Sequence, residues 1–278
     1  MMNPYDRNLN LYYKDDLCTV VQGDCLDVMR IMAENELKFD AIITDPPYGT
    51  TACRWDIIVP FKELWESINK LRKEITTVVL FGSEPFSSYL RLSNIAEYRY
   101  DWYWYKNCPT GIALSKTQPM RSIEEIMIFS GRKSLFNKQK MPSKITDRRL
   151  GKSNGRFNSN LQTSEHFGKM IFNKTKNNPE NILLEMVNPR NVLEINVVPR
   201  ATGVLHPTQK PVELMEYLIK TYTNKGDIIL DFTCGSGTTL VAAKNLSVNC
   251  YGIEKEEKYC KVSKNRLDGD TSWKSMTI

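Results

Sequence analysis

Two short segments of the sequence carry side chains that could do chemistry. The first is Asp45-Pro46-Pro47-Tyr48, which follows the apolar run Phe39–Thr44. Because proline has no backbone N–H, carbonyl oxygens and the Asp45 carboxylate are offered there as acceptors, beside the ring of Tyr48. Acceptors next to an aromatic ring suit a planar molecule that carries an exocyclic amino group. The same four residues are also compatible with a simple proline turn that ends a strand.

The second segment runs from Asp231 to Thr239 and contains Gly235 and Gly237. Two glycines between a strand and a helix let the backbone approach a ligand closely, and the helix N-terminus favours an anionic group. Leu240 stands where a dinucleotide-binding fold has its third glycine, which disfavours a nicotinamide or flavin cofactor. Glu254 ends the next predicted strand, where a nucleoside-binding fold places its ribose-binding carboxylate, although a solvated acid is an alternative. The pattern indicates an adenosine-containing cofactor without a pyrophosphate.

Alternating strands and helices must position these two segments. Apolar runs predict strands at Cys18–Gln22, Phe39–Thr44, Thr76–Phe81, Tyr98–Tyr105, Ile123–Phe129, Ile228–Asp231 and Asn249–Glu254. Helical periodicity predicts helices at Leu26–Glu36, Phe61–Lys73, Pro211–Tyr222 and Thr238–Asn245, and one more after Glu254. This alternation is typical of an α/β fold with a mainly parallel sheet covered by helices on both faces. The aromatic residues alternating along the fourth strand are expected to pack in the core, and they are Tyr98, Tyr100, Trp102 and Trp104.

Length and composition bound the class of protein. The chain has 278 residues, of which 41% are hydrophobic and 25% charged, as in one large globular domain with an insertion. No apolar run approaches the ~18 residues of a membrane span, and the first residues lack a signal peptide's apolar region, so a cytoplasmic location is expected. The seven cysteines show no C-x-x-C spacing and only His166 and His206 could add imidazole ligands, so no metal site is expected.

The net charge of +6 is unevenly distributed. Residues 131–200 contain fourteen Lys and Arg, five Asp and Glu, and eleven Asn, which gives this segment nine excess positive charges. The rest of the chain is therefore net negative by three. Lys and Arg neutralise phosphates, and Asn and Arg can read base edges, so the segment suits a polyanion-binding loop. A merely solvated surface segment can have the same composition.

With these motifs in their order, the chain resembles the amino-methylating DNA methyltransferases that use S-adenosylmethionine. Their D/N/S-P-P-Y/F/W tetrapeptide is matched by Asp45-Pro46-Pro47-Tyr48, and their F-x-G-x-G segment by Phe232 to Gly237, with Cys234 shifting the glycines by one position. His206-Pro207-Thr208-Gln209-Lys210-Pro211 resembles a third hallmark, and Gly23-Asp24 resembles the adenine-contacting acid. The catalytic motif precedes the cofactor motif, as in the β group of this family. The match runs from Val20 to about Lys261, interrupted by the basic segment.

The resemblance implies a seven-stranded, doubly wound, Rossmann-like sheet whose strand order is permuted in the sequence. It implies a catalytic half at residues 1–130, a basic target-recognition insert at 131–200 and a cofactor-binding half at 201–278. The cofactor-binding residues that it implies are Asp24 near the adenine, Glu254 on the ribose, and Thr208, Gln209, Lys210, Asp231 and Phe232 near the methionine end, with Cys234, Gly235, Gly237 and Thr238 in the loop.

The resemblance also implies a reaction: transfer of a methyl group to the N6 amino group of an adenine flipped out of double-stranded DNA. The catalytic residues would be Asp45, Pro46, Pro47 and Tyr48, with Asp45 and the Pro46 carbonyl accepting from the amino group and Tyr48 stacking on the base. The basic insert would supply the DNA contacts Arg132, Lys133, Arg148, Arg149, Lys152 and Arg156. The resemblance leaves open whether the enzyme is solitary or paired with a cognate restriction endonuclease, and whether the chain acts as a monomer or a homodimer.

Several alternatives stay open at this point. N4-cytosine methylation uses the same chemistry, but its enzymes usually begin the tetrapeptide with Ser, so Asp45 favours adenine. RNA or protein methylation, or a catalytically inactive DNA-binding relative, would also keep the fold. C5-cytosine methylation is disfavoured because its nucleophilic Cys usually follows a Pro, whereas Cys108 precedes Pro109. Lys106 and Asn107 could line the target pocket.

Overall fold

The computed structural model describes residues 4–51, 53, 56–131, 134–144, 184–198 and 209–270. Its strands are β1 (Leu11–Lys14), β2 (Cys18–Gln22), β3 (Phe39–Thr44), β4 (Arg72–Gly82), β5 (Tyr98–Thr110), β6 (Arg121–Ser130), β7 (Met141–Lys144), β8 (Leu184–Val187), β9 (Val192–Glu194), β10 (Ile228–Asp231) and β11 (Asn249–Glu254). Its helices are α1 (Cys25–Glu34), α2 (Phe61–Leu71), α3 (Phe86–Ser93), α4 (Val212–Tyr222), α5 (Thr238–Asn245) and α6 (Glu257–Leu267). None of the helices described here is both long and apolar enough to cross a membrane.

The chain divides into two compact units. The larger comprises Met1–Asn137 and Asn191–Ile278, and the smaller is Lys138–Arg190. The described residues of the smaller unit include β7 and β8, which pair in antiparallel orientation. The six DNA-contacting residues proposed from the sequence, Arg132, Lys133, Arg148, Arg149, Lys152 and Arg156, all lie outside the described residues.

The larger unit is built on one sheet with the strand order β1-β2-β11-β10-β3-β4-β6-β5-β9. The run from β2 to β4 is parallel throughout, whereas β6 is antiparallel to both β4 and β5. The predicted α/β fold with a mainly parallel sheet is therefore confirmed. The seven predicted strands form its centre, and the sheet has nine because β1 and β9 add one short strand at each edge. Both edge strands were missed because they have only four and three residues and lie in polar stretches.

Helices cover both faces of this sheet, as a doubly wound fold requires. The core on one face includes apolar side chains of α1, α2 and α3, among them Met29, Ile68 and Leu90. On the other, α4 packs against α5 and α5 against α6, and each helix buries apolar side chains such as Leu218 and Leu240. The sheet between the two layers of helices is shielded from solvent, as shown by β3, in which five of the six residues are buried.

The boundary between α2 and β4 differs from the prediction. The helix ends at Leu71 and the strand begins at once at Arg72, whereas the apolar pattern predicts a gap before Thr76. The Thr76 hydroxyl accepts from the Lys73 N–H at 2.8 Å and donates to the Phe39 carbonyl at 2.7 Å. These two bonds hold the strand's polar first residues against β3, where the register shifts. The helix α3 was not predicted, because its eight residues lack a long apolar periodicity.

The centre of the sheet is the place where the connections reverse. Strands β10 and β3 are parallel neighbours, but the chain continues from β10 to β11 on one side and from β3 to β4 on the other. In doubly wound sheets, ligands bind at such a switch point, beyond the carboxyl ends of the strands. Asp45 and Phe232 are the first residues after these two strands. The fold therefore brings the two chemically suggestive segments together, although about 190 residues separate them in the chain.

Candidate active site

The carboxylate of Asp45 lies between two donors. Its Oδ1 accepts from the Tyr48 hydroxyl at 2.5 Å, and its Oδ2 lies 2.5 Å from the Lys210 ammonium nitrogen. Asp45 directly follows β3, and Lys210 directly precedes the residue that caps α4, so the two come from distant parts of the chain. The resemblance implies that Lys210 binds the cofactor, whereas the structure places its ammonium on the Asp45 carboxylate of the Asp-Pro-Pro-Tyr tetrapeptide.

A second carboxylate, that of Glu124 on β6, completes this cluster. Its Oε1 lies 2.8 Å from the Lys210 nitrogen and 3.1 Å from the Tyr48 hydroxyl oxygen. Its Oε2 lies 3.4 Å from the ammonium of Lys106 on β5. Lys106, Glu124 and Lys210 are all buried, with less than a tenth of each residue exposed. Two ammonium groups and two carboxylates therefore share one poorly solvated region and balance in charge.

Burial and charge shift the ionisation of this cluster in opposing directions. Burial raises the pKa of Asp45, which Lys210 opposes and Glu124 reinforces. Burial alone would raise the pKa of Glu124, but the ammonium groups of Lys210 and Lys106 outweigh it and lower that pKa. Burial likewise raises the pKa of Tyr48 far above its ordinary value, as do both carboxylates. Tyr48 therefore stays protonated and donates its hydroxyl hydrogen.

The ring of Tyr48 is packed from behind. It stacks on Phe86 at the start of α3, with 5.1 Å between ring centroids and an interplanar angle of 26°. Phe61 of α2 lies against the same Phe86 at 5.8 Å. The ring is therefore held by a stacked neighbour and by its hydroxyl, and the Lys210 ammonium lies 5.9 Å from its centroid.

The loop after the tetrapeptide is tied to one buried carboxylate. Asp56 accepts from the backbone N–H groups of Gly49, Thr50 and Thr51 at 2.9, 2.9 and 2.6 Å. Burial opposes ionisation of this carboxyl, but these hydrogen bonds lower its pKa below the ordinary value. Asp56 therefore fixes the backbone that immediately follows Tyr48.

Two threonines join the tetrapeptide to the glycine loop. The Thr44 hydroxyl donates to Asp231 Oδ1 at 3.1 Å and accepts from the Phe232 N–H at 3.0 Å. The Thr233 hydroxyl donates to the Asp45 carbonyl at 3.1 Å. The tetrapeptide segment and the glycine loop are thus hydrogen-bonded into one unit.

The Asp231 carboxyl is surrounded by uncharged donors. Its Oδ1 also accepts from the Thr233 N–H at 3.2 Å, and its Oδ2 from the Thr239 hydroxyl at 2.5 Å. Burial raises its pKa to about 7, with a contribution from the charge of Asp45, and the hydrogen bonds from these neutral donors oppose the shift only in part. Phe232 follows with its side chain buried in the core. The side chain of Phe232 therefore supports the loop from within the protein.

The glycine loop ends on Glu254, at the tip of the adjacent β11. Glu254 Oε2 accepts from the Gly235 N–H at 2.9 Å, and Oε1 from the Glu256 N–H at 2.7 Å. Burial raises the pKa of this carboxyl, and the backbone bonds oppose the shift. Each oxygen keeps a further lone pair, so the carboxylate is suited to accept from a ribose hydroxyl pair.

Gly237 must be glycine in this loop. Its φ is +73°, in the left-handed region, and a Cβ built there would lie 2.7 Å from the Ser263 hydroxyl oxygen on α6. Ser263 itself donates to the Gly235 carbonyl at 2.9 Å. Cys234 is buried on the other side of the loop, and its N–H donates to the Ile253 carbonyl at 2.9 Å. The loop is therefore packed tightly between α6 and β11.

A basic side chain from α6 braces the same loop. Arg266 donates to the Ser236 carbonyl at 2.6 Å, to the Ser236 hydroxyl at 3.2 Å and to the Thr238 hydroxyl at 3.0 Å. Burial lowers the pKa of its guanidinium to about 10, so the group stays charged at neutral pH. Thr238 is buried at the first turn of α5 and is held by this arginine.

Asp24 lies next to this region at the end of β2. Its Oδ1 caps α1 by accepting from the Leu26 N–H at 3.1 Å, and its Oδ2 lies 3.3 Å from the Lys255 ammonium. The preceding Gly23 N–H donates to the Glu254 carbonyl at 3.0 Å. Asp24 and Glu254 thus lie at the same edge of the sheet, as two ends of one nucleoside would need.

The structure brings most of the proposed site residues together. Asp45, Tyr48 and Lys210 form one cluster, and Asp231, Gly235 and Glu254 form the adjoining one; Thr208 lies outside the described residues. Gln209 is described and half-buried. Asn107 is exposed and accepts from the Val197 N–H at 2.9 Å. Within the described ranges, no three His, Cys, Asp or Glu side chains come together as metal ligands.

Three residues of this region were not singled out from the sequence: Asp56, Glu124 and Arg266. The pair Glu124-Glu125 interrupts an otherwise apolar strand, so one of the two had to face the buried side, and that signal could have been used. Arg266 lies in a charged helix and gives no such signal.

Comparison with known proteins agrees with this arrangement. The model of a family described as DNA methylase matches residues 39–265. The type II methyltransferase M.HpaI of Haemophilus parainfluenzae is 27% identical over 267 residues, which cover 90% of this chain and 74% of that protein.

Two solved structures are also similar. The complex of M1.HpyAVI with SAM is 26% identical, covers 90% of this chain and 100% of its own, and gives a TM-score of 0.60. The cytosine-N4-specific PvuII DNA methyltransferase covers 94% of this chain and 89% of its own at a TM-score of 0.61, but at 16% identity it shows the fold alone. With the tetrapeptide and the glycine loop joined at the switch point of the sheet, the family match means that this chain belongs to the amino-methylating (N6 or N4) DNA methylases.

Proposed function

We propose that this protein transfers a methyl group from S-adenosylmethionine to the N6 amino group of adenine in double-stranded DNA. The observation that carries the proposal is the Asp45 carboxylate, held by Tyr48 and Lys210 at 2.5 Å each, beside the glycine loop that Glu254 supports. An acceptor of this kind suits an exocyclic amine, and the neighbouring loop suits a nucleoside.

The chemical demand explains the acceptors. An exocyclic amine is a weak nucleophile because its lone pair is delocalised into the ring. Asp45 and the Pro46 carbonyl accept its two N–H hydrogens, which favours a tetrahedral nitrogen and localises the lone pair. Asp45 then takes the proton that the nitrogen loses once it carries the methyl group. Most of the rate enhancement comes from positioning and fixed electrostatics.

The cofactor supplies an electrophilic methyl group on a sulfonium centre when it is bound. Glu254 would accept from the ribose hydroxyls, Asp24 would lie towards the adenine, and the Gly235–Gly237 backbone would give clearance. Thr208, Gln209 and Asp231 would line the methionine end, with the buried Phe232, Cys234 and Thr238 supporting the loop. Lys210 belongs to this end in the sequence proposal and contacts Asp45 at 2.5 Å.

Adenine is preferred over cytosine because the tetrapeptide begins with Asp45. Enzymes of this group that act on cytosine N4 usually begin it with Ser. The same acceptors could serve the N4 amino group of cytosine, and this is the second candidate. The basic segment at 131–200, with its nine excess positive charges, is proposed as the target-recognition region that contacts the duplex.

Nucleoside analysis tests the proposal directly. DNA of mixed sequence is incubated with the purified full chain and S-adenosylmethionine, digested to nucleosides and separated by liquid chromatography with mass detection. N6-methyladenine is the expected product. N4-methylcytosine would retain the chemistry and overturn the base assignment, and no methylated nucleoside would overturn the function.

A substitution of the acceptor provides the matched control. Asp45→Ala removes the carboxylate and should abolish methylation while DNA binding, measured by fluorescence anisotropy, largely survives. Methylation at the wild-type rate in this variant would refute the assignment of the catalytic site.

A further inference from the structure

We propose that Glu124 raises the proton affinity of Asp45 by sharing Lys210 with it, that Lys106 limits this effect by partly neutralising Glu124, and that Glu124 also helps to hold the Tyr48 hydroxyl. Both are positioning residues, because neither is placed on the reacting atoms. The inference rests on the proposed function and adds to it two residues from strands that lie outside every motif of the sequence.

The contacts show that Lys210 is shared. Its nitrogen lies 2.5 Å from Asp45 Oδ2 and 2.8 Å from Glu124 Oε1, so one ammonium neutralises two carboxylates. If Lys210 neutralised Asp45 alone, Asp45 would be a weaker hydrogen-bond acceptor and a weaker base. Because Glu124 shares Lys210, the Asp45 carboxylate keeps more negative charge, and this favours transfer of the proton from the methylated amine to Asp45.

Lys106 acts in the opposite direction. Its nitrogen lies 3.4 Å from Glu124 Oε2 and 5.7 Å from the centroid of the Trp104 ring, and it is buried. By partly neutralising Glu124, it limits how strongly Glu124 withdraws Lys210 from Asp45. Within the part of the chain that the structure describes, the charged and titratable groups that face Asp45 are Lys210, Tyr48, Glu124 and Asp231.

Glu124 also acts on the stacking ring. The Tyr48 hydroxyl oxygen lies 2.5 Å from Asp45 and 3.1 Å from Glu124, while Phe86 packs against the ring. The hydroxyl has a single hydrogen, which lies between the two carboxylates and is nearer to Asp45, and together with the stacked Phe86 this holds the phenol in place. A base that enters the site meets a ring that is already in place.

Charge competition predicts opposite pH shifts for two variants. Glu124→Gln removes a negative charge, so Lys210 then forms its ion pair with Asp45 alone and Asp45 ionises more easily. The acid limb of kcat/KM for DNA should then move to lower pH. Lys106→Met removes a positive charge, strengthens the hold of Glu124 on Lys210, and should move the acid limb to higher pH.

The experiment is the pH profile of kcat/KM for DNA in the wild type and in the two variants, with the dissociation constant for S-adenosylmethionine measured alongside. Glu124→Gln should also lower kcat about tenfold or more, because a charged hydrogen-bond acceptor of Tyr48 and Lys210 is lost. Cofactor affinity should stay within about twofold, since Glu124 and Lys106 contact neither Glu254 nor the glycine loop and Lys210 keeps its bond to Asp45 in both variants. Shifts of opposite sign cannot arise from a general loss of stability.

Glu125→Gln is the matched control. Glu125 is the next residue on β6, with its carboxylate 3.5 Å from the Arg91 guanidinium, away from the cluster. This variant should keep the wild-type acid limb. If Glu124→Gln does not fold, the double variant E124Q/K106M replaces it in the experiment, because it removes one charge of each sign. Its kcat should stay low, and its acid limb should lie between the acid limbs expected for the two single variants.

Three outcomes are decisive. The inference is overturned if the acid limbs of Glu124→Gln and Lys106→Met coincide with that of the wild type, or if both shift in the same direction. The proposed function would remain intact in either case. An unchanged kcat in Glu124→Gln overturns the positioning of Tyr48. A wild-type protein that methylates no base refutes the proposed function, and the inference falls with it.

Discussion

Asp45 and Asp231 lie at the ends of neighbouring strands and differ in what compensates their burial. Asp45 has an ammonium 2.5 Å away, whereas Asp231 has two hydroxyl groups and a backbone N–H. Neutral donors satisfy the oxygens but do not replace the hydration of a charge. The pKa of Asp231 therefore rises to about 7, and near neutral pH this acid holds its proton part of the time.

This burial has a consequence for stability that follows from proton linkage. The pKa of Asp231 is about 7 when folded and 3.8 ordinarily, so the folded state binds more protons between these values. The stabilisation is fully present below about pH 4 and is lost as the pH rises through about 7. Asp231→Asn removes this dependence, because Thr239 can donate its hydroxyl elsewhere and accept from the amide.

We expect Asp231→Asn to unfold with a higher free energy than the wild type at pH 8, by on the order of 1–4 kcal/mol. The difference should shrink towards pH 5. Urea unfolding without cofactor, at a series of pH values, measures it. Asp27→Asn is the control, since Asp27 is exposed on α1 and should show no such trend. A difference that is independent of pH would contradict the argument.

At the scale of elements, the glycine loop depends on one backbone conformation and on one close contact. Gly237 has a φ of +73° and faces Ser263, whereas Gly269 after α6 has a φ of +71° and open space around its hydrogen. Alanine at either position incurs the strain of the left-handed region, but only at Gly237 does it also collide with a neighbour.

We expect Gly269→Ala to destabilise the fold by about 1 kcal/mol and to leave cofactor affinity unchanged. Gly237→Ala should destabilise it by about 2–4 kcal/mol and weaken S-adenosylmethionine binding at least tenfold, because the loop must move from Ser263. Thermal unfolding and isothermal titration calorimetry measure the two effects. Equal losses in both variants would show that the contact with Ser263 is unimportant.

The elements that were predictable share one property. Strands β2, β3, β10 and β11 begin and end as predicted, because each is a short apolar run between polar or turn residues. β4 and β5 extend beyond their apolar runs, to Arg72 and Thr110, because backbone pairing continues where side chains are exposed. Tyr100 is 38% exposed and only the tryptophans of its stripe are buried, so core packing was right for Trp102 and Trp104.

The site was predictable where a motif is contiguous and not where it is assembled. Asp45 and Tyr48 are three residues apart, so local chemistry indicated their role. Glu124 reaches them only because β4 and β6 pair in antiparallel orientation, opposite the parallel core. Lys210 reaches Asp45 across 165 positions of sequence. The spacing of residues within a motif predicts neither the contact of Glu124 nor that of Lys210, because both depend on the order of strands in the sheet.

At the scale of the whole molecule, positive charge is concentrated in residues 131–200. If that segment contacts DNA, its cations displace counterions and the affinity falls with salt. Replacing four of its basic residues with Gln should lower the slope of log K against log salt by up to about 3.6 and leave cofactor affinity unchanged. The four are Arg148, Arg149, Lys152 and Arg156.

A control variant with the same net charge separates the effect of where the charges lie from the effect of the total charge of the protein. It replaces four exposed basic residues of the larger unit with Gln, namely Arg30, Lys38, Lys62 and Lys70. DNA binding by fluorescence anisotropy across a salt series should give this control a slope near that of the wild type. Equal slopes in the two variants would mean that net charge alone, and not the basic segment, sets DNA affinity.

The strand order also governs when the chain can fold during its synthesis. β2 and β3 are made early, but the two strands between them, β11 and β10, come from residues 228–254. Until those residues leave the ribosome, β2 and β3 each present one open edge to a gap two strands wide, and open edges invite pairing with other chains. The sheet closes only when its latest-made strands enter its centre, so we expect a nascent chain that stalls before residue 228 to keep both edges open and to be prone to aggregation.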